Sequence, residues 1–151
     1  MALELLLLRH GEAEFSLPDC DRNLTGCGVE QTQRVLARRI EALDGLSAVY
    51  VSPYLRAQQT AALLPDTLSL PALQSIDGLQ PDCSVTQLIE WLQSQQGKIL
   101  LVAHNPLLSR LANRLLGESQ RYSFDTSTLV CLQMPIAAAG CAELSWIEPP
   151  R

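Results

Sequence analysis

Leu3-Glu4-Leu5-Leu6-Leu7-Leu8-Arg9-His10-Gly11 is a nearly unbroken apolar run that closes on two basic residues and a glycine. A strand covered by helices on both faces reads this way, because neither face has water to receive polar side chains. The period then changes. From Thr25 onward Val29, Leu36, Ile40 and Leu43 recur at helical spacing, with Glu30, Arg34, Arg38 and Glu41 elsewhere on the wheel, which predicts a helix over about 26–43 that ends at Gly45. Leu46 to Val51 (LSAVYV) predicts a second strand. Ser52-Pro53 follows it as an N-cap and first helical position, opening a helix that runs to about Leu64 and stops at Pro65.

Between Asp66 and Ser84 the pattern supports only a short strand at 68–70 and a loop rich in Pro, Gly and Asp. Val85, Leu88, Ile89 and Leu92 then form the i, i+3, i+4, i+7 stripe of a helix capped by Ser84. Lys98 to Ala103 (KILLVA) repeats the buried-strand pattern and is followed by His104, then by Asn105-Pro106 as a second cap-plus-proline helix start. That helix carries Leu107, Leu108, Leu111, Leu115 and Leu116 and closes at Gly117. Thr128 to Met134 and Ala142 to Ile147 predict two final strands, antiparallel at the sheet edge. Strands alternating with helices at this spacing predict an α/β fold: a three-layer sandwich, a mostly parallel central sheet with helices on both faces. Residues 1–151 are expected to make one domain, with no repeat or linker.

Composition narrows the function. The 151 residues are 47% hydrophobic and 18% charged, a globular balance, and the net charge of −5 speaks against a nucleic-acid or anionic-membrane surface, which needs clustered Lys and Arg. The longest clean apolar run, Leu5 to Leu8, predicts neither a membrane span nor a signal peptide. The five cysteines are an odd set without a CxxC pair and read as reduced thiols in a cytoplasmic protein; neither histidine has a cysteine nearby, so no metal is expected.

Ligands of open parallel sheets bind beyond the carboxyl ends of the strands. Three such ends here carry unusual polar residues: Arg9-His10-Gly11, Ser52-Pro53-Tyr54-Leu55-Arg56, and His104-Asn105-Pro106, and the chain's two histidines both fall there. Arg56 in the first turn of a helix is disfavoured by the macrodipole unless an anion sits beside it. Alone it reads equally as a solvent-facing side chain. Together with Arg9 it reads as part of a pocket, since guanidiniums, imidazoles and free helix N-terminal amides match phosphate oxygens.

With these motifs in order, the sequence resembles the histidine phosphatase superfamily, also called phosphoglycerate-mutase-like or RHG. The match is Arg9-His10-Gly11-Glu12-Ala13 after the first strand, Arg22-Asn23-Leu24-Thr25 with Gly28 entering the first helix, Ser52-Pro53-Tyr54-Leu55-Arg56-Ala57 with Thr60, and His104-Asn105-Pro106. Length and motif wording look closest to the SixA-type phosphohistidine phosphatases. The resemblance implies a phosphoglycerate-mutase-like fold, His10 as the nucleophile that becomes phosphohistidine, and Arg9, Arg56 and His104 around the phosphoryl group, with Arg22 as a further substrate-binding position. No cofactor is implied. Chemistry agrees: attack needs a neutral imidazole, and nearby arginines push the His10 pKa down. Asn105 and Ser52 are read as caps that orient their loops, and Glu12 as a solvated carboxylate.

The leaving group separates the substrate classes. A phosphomonoester gains from an acid that protonates its oxygen, whereas phosphohistidine has a labile P–N bond. In the mutase-like branch the acid is a Glu in a Leu-x-Glu element; here the stretch reads Leu79-Gln80-Pro81. The expected function is therefore a metal-independent phosphatase acting on a phosphorylated signalling protein of the histidine-phosphotransfer type. The alternative is a small-molecule phosphatase, with a small phosphate compound as substrate and Asp77 or Asp82 as acid. A non-catalytic phosphate-recognition module is a third reading. A nucleotide-binding domain finds no GxGxxG or GxxxxGK[ST] in the sequence.

Overall fold

The computed structural model describes residues 2–151. Ten main elements follow one another: β1 (Leu3–Arg9), α1 (Gly26–Arg38), β2 (Ala48–Val51), α2 (Leu55–Ala61), β3 (Leu73–Ser75), α3 (Val85–Leu92), β4 (Gly97–Ala103), α4 (Leu107–Leu116), β5 (Leu129–Met134) and β6 (Glu143–Glu148). The six strands form one sheet in the order β3-β2-β4-β1-β5-β6. The first four are mutually parallel, and β5 and β6 add antiparallel at one side, as the sequence predicts.

Alternation along the strands builds two apolar cores. Leu3, Leu5 and Leu7 of β1 point to one face with Ile99 and Leu101 of β4, where Leu88 and Leu92 of α3 and Leu108, Leu111 and Leu115 of α4 cover them. Leu6 and Leu8 point to the other face with Leu100 and Val102, under Val35 and Leu36 of α1 and Ala57 and Ala61 of α2. Both faces of the sheet are thus roofed by helices, which is why β1 tolerates so few polar residues. No helix among the described residues is long and apolar enough to cross a membrane.

Three expectations are corrected. The first helix ends at Arg38 rather than 43; Leu43 is still fully buried, but in turns where its N–H is shared between the Arg39 and Ile40 carbonyls. The helix after β2 runs from Leu55 to Ala61 rather than from Pro53 to about Leu64, and no side-chain hydrogen bond from its cap residue Tyr54 closes its start. The short strand lies at 73–75 rather than 68–70. Pro71 has no N–H for a ladder, Leu68 and Leu70 turn inward onto the α1/α2 core, and all three β3 side chains are exposed, so this strand has no apolar signature.

Register brings the site together. Arg9 of β1 pairs with Ala103 of β4, and Val51 of β2 pairs with Val102. The strands therefore end level, and the residues that follow, His10, Ser52 and His104, emerge side by side; the His10 N–H donates to the Ala103 carbonyl and the Ser52 N–H to that of Val102. After β1 the chain packs α1 on one face, and after β4 it packs α4 on the other. The crevice between adjacent strands whose helices diverge is where such sheets bind ligands.

Candidate active site

The β1–α1 connection is built for close approach. A Cβ on Gly11 would lie 2.9 Å from both the Gly28 carbonyl oxygen and Thr32 Oγ1, and a Cβ on Gly28 would collide with the backbone of Glu12. Glycine at both positions lets the turn after β1 press against α1. Thr60 of α2 accepts the Gly11 N–H at 3.0 Å and donates to the Arg56 carbonyl at 2.7 Å, linking the β1 turn to the arginine-bearing helix. Ser127, a non-glycine residue at φ 65°, donates its N–H to the Arg9 and His10 carbonyls, while its Oγ lies 2.8 Å from Thr32 Oγ1.

His10 is buried, and its hydrogen bonds assign the tautomer. Nδ1–H donates to the Gly11 carbonyl at 2.7 Å, so Nε2 holds the lone pair, which receives Arg56 Nε–H at 3.3 Å. Burial, followed by the charges of Arg56, Arg9 and Arg22, pushes the His10 pKa down to about 4 against the opposing pull of the Gly11 carbonyl. The ring is neutral at pH 7 and carries the free electron pair a nucleophile needs.

His104 stacks obliquely on His10, ring centroids 5.1 Å apart, with Tyr54 edge-on at 5.0 Å. Its Nε2 lies 2.6 Å from Ser52 Oγ, which also accepts the Tyr54 N–H. One hydrogen is shared between His104 Nε2 and the Ser52 hydroxyl, and that bond fixes the orientation of the ring. Burial, then His10, Arg56 and Arg9, pushes the His104 pKa down to about 2. Ser52 is therefore an orienting partner of His104 rather than a helix cap. Pro106 rather than Asn105 holds the cap position of α4, which starts at Leu107, but Asn105 still orients the loop: Oδ1 accepts the Ser109 N–H at 3.2 Å, and Nδ2 donates to the Phe124 carbonyl at 2.9 Å.

Arg9 Nη1 donates to that same Phe124 carbonyl at 2.7 Å, tying the ends of β1 and β4 to the loop before β5. Burial lowers the Arg9 pKa, opposed by Asp125 and helped by Arg56. Among the described residues, the buried side-chain nitrogens and oxygens without a hydrogen-bond partner are Arg9 Nε and His104 Nδ1, both in this cluster. An unsatisfied buried donor costs about 1–3 kcal/mol, and an oxyanion in the cluster would satisfy Arg9 Nε–H.

The structure draws His10, His104, Arg9 and Arg56 into one cluster and sets Arg22 at its rim, where Nη1 donates to Asp19 at 3.2 Å and Nε to the Glu14 carbonyl. Two of the amides near the helix starts are occupied by protein groups, Tyr54 N–H by Ser52 and Ser109 N–H by Asn105. Glu12 accepts from the Thr25 hydroxyl at 2.9 Å, beside the cap of α1. Asp77 and Asp82 are exposed in the turns after β3, and no hydrogen bond or ion pair among the described residues links either carboxylate to the cluster. Ser52, Thr60, Ser127 and Asp19 are the contributors whose roles the sequence reading missed. Ser52 and Thr60 stand in the quoted motif, so a signal existed; Ser127 and Asp19 carry none.

Residues 5–80 match the model of the histidine phosphatase superfamily (branch 1). An uncharacterized protein of Picosynechococcus sp. is 34% identical over 122 residues, covering 75% of this chain and 73% of its own. The phosphohistidine phosphatase SixA of Escherichia coli is 27% identical over 155 residues, covering 98% and 94%. A structure of the protein histidine phosphatase SixA complexed with tungstate is similar with a TM-score of 0.87 at 27% identity, covering 97% of each chain. The matched half holds β1, α1 and α2 with Arg9, His10 and Arg56, and the relatives carry the likeness on through β4 and His104. The chain belongs to the histidine phosphatase superfamily, branch 1.

Proposed function

We propose that this protein is a metal-independent phosphatase that uses His10 as nucleophile and removes the phosphoryl group from a phosphohistidine on a signalling protein of the histidine-phosphotransfer type. One observation carries the reading: a buried, neutral His10 whose Nε2 lone pair is presented beside Arg56. In-line attack by Nε2 breaks the bond between phosphorus and the leaving nitrogen, which takes the electron pair, and forms phospho-His10 with its Nδ1–H still on the Gly11 carbonyl. Arg9 and Arg56 donate to the equatorial oxygens, where charge concentrates, and this reading places the His104 proton on Nδ1 so that it donates there too. Water then attacks phosphorus, His10 leaves as neutral imidazole, and inorganic phosphate is released.

A protein substrate is supported by the rim. Phe15 and Leu17 are 100% and 93% exposed on the loop that carries Asp19 and Arg22, apolar surface that a macromolecule can cover and a small metabolite cannot. The likeness to SixA supports the same class. We read residues 1–151 as one such domain, in a cytoplasmic, reducing setting that suits five unpaired cysteines.

The test is transient labelling with a ³²P-phosphohistidine carrier protein, comparing the parent with His10→Ala. Acid-labile, alkali-stable label on the parent alone, with rapid phosphate release, is expected. Activity of His10→Ala at a tenth of parent would remove His10 from the nucleophile's role. Brisk hydrolysis of small phosphate esters without turnover of the carrier would move the function to a metabolite phosphatase, with Asp77 or Asp82 as acid. Binding without turnover of either would make it a recognition module.

A further inference from the structure

Arg56 spans the site. Its Nε–H meets His10 Nε2 at 3.3 Å, and its other edge faces Asp19: Nη1 donates to the Asp19 carbonyl at 2.7 Å and Nη2 lies 3.4 Å from Oδ2. The second carboxylate oxygen, Oδ1, lies 3.2 Å from Arg22 Nη1. Each oxygen therefore has one guanidinium partner and a lone pair to spare. The Asp19 side chain is 56% exposed whereas His10 and Arg56 are buried, which sets this carboxylate on the solvent side of the nucleophile. In an in-line displacement the leaving group departs opposite the attacking atom, here outward from Nε2 toward that side. Burial raises the Asp19 pKa, but Arg22 and Arg56 outweigh it and hold the pKa below the ordinary carboxylate value. An ionised carboxylate has no proton to give an alkoxide.

We propose that Asp19 is the specificity-determining residue of this site, accepting the ring N–H of a protonated phosphohistidine and so favouring a phosphoramidate leaving group over the oxygen of a phosphate ester. The proposal rests on the phosphohistidine reading above and deepens it. The substrate ring enters as an imidazolium, its unphosphorylated nitrogen bearing the proton that Asp19 accepts as a hydrogen bond. The His10 Nε2–P bond forms as the substrate N–P bond breaks. The electron pair of that bond goes to the departing nitrogen, so the ring leaves as neutral imidazole with its N–H retained. No acid is consumed, consistent with Gln80-Pro81 following Leu79. For an ester the same carboxylate is a liability, since negative charge grows on the leaving oxygen near a fixed anion.

Asp19→Asn separates the possibilities because it keeps the acceptor oxygen and the side-chain size while removing the charge. The measurement is kcat/KM for a phosphohistidine carrier protein and for p-nitrophenyl phosphate, in parent and variant, with vanadate inhibition reporting on the oxyanion pocket. The two substrates are expected to move in opposite directions: the carrier slows at least about tenfold, because a charge-assisted hydrogen bond to the imidazolium becomes a neutral one of about half the strength, and the ester speeds up. Vanadate should bind the variant at least as tightly as the parent. A parallel fall on both substrates with weaker vanadate binding would reduce Asp19 to a support for Arg22 and Arg56. A parallel rise would reduce it to a general anion near the pocket, and no change would remove it from the reaction. Each of these overturns the proposal while the phosphohistidine function stands. A parent that turns over the ester but not the carrier overturns both.

Discussion

Ser52 shows how a single side chain changes meaning between sequence and structure. Beside Pro53 it reads as a helix cap, yet its hydroxyl lies 2.6 Å from His104 Nε2 and holds that ring in place. A cap and a ring-orienting partner look alike in a sequence, because both put a small hydroxyl between a strand and a helix. Arg56 was more legible: a cation in the first helical turn is disfavoured, and the structure sets its guanidinium against the nucleophile's lone pair. Arg56→Ala is expected to lower kcat/KM on the phosphohistidine carrier by on the order of a hundredfold or more, comparable to losing an oxyanion donor. An unchanged value in steady-state assays would leave Arg56 a structural tie between α2 and the Asp19 loop. Asp19 and Ser127 had no such signal. The first acts through Arg22, three residues on in its own loop, and through Arg56 of α2, and the second through the carbonyls of Arg9 and His10.

Among the elements, the contact between the β1 turn and α1 depends most on one residue type. Gly28 faces the Glu12 backbone with no room for a methyl group, while two residues away Gly26 has nothing within 4 Å. Gly28→Ala is expected to force the β1 turn off α1, costing about 1–3 kcal/mol as overpacking does, and to lower kcat by shifting His10. Gly26→Ala should raise stability by up to about 1 kcal/mol, since alanine forms helix better, and leave turnover alone. Urea unfolding and carrier-protein kinetics on the pair check both; equal effects would show that the Gly28 contact yields freely. Helices α3 and α4 were legible because an apolar stripe is repeated every turn, and because Ser84 caps the start of α3 and Gly117 closes the end of α4. Strand β3 was not. Its three exposed residues join the sheet through backbone hydrogen bonds to β2, which leave no mark on side-chain chemistry.

At the scale of the whole molecule, burying two neutral histidines makes stability depend on pH. Each ring has a folded pKa below the 6.5 of an unfolded chain, about 4 for His10 and about 2 for His104. The unfolded state therefore binds more protons below pH 6.5, and stability should fall as pH drops through 6.5, at up to about 1.4 kcal/mol per pH unit for one ring. For His10 the loss levels off near pH 4. Above pH 6.5 both states are neutral and the contribution is flat. Thermal unfolding between pH 4.5 and 8, on parent and His10→Asn, measures the term: the parent should lose stability on acidification more steeply than the variant, and identical slopes would mean that His10 is not held neutral by the fold. The sequence by itself determined the strand and helix alternation outside β3 and the residue types at the ends of the buried strands, because burial on both faces dictates composition and period. Only the tertiary structure decided that β4 lies between β2 and β1, that the register sets His104 against His10, and that a loop carboxylate reaches Arg56. Strand order, register and loop closure arise from contacts between segments far apart in the chain, and no local pattern of residues encodes them.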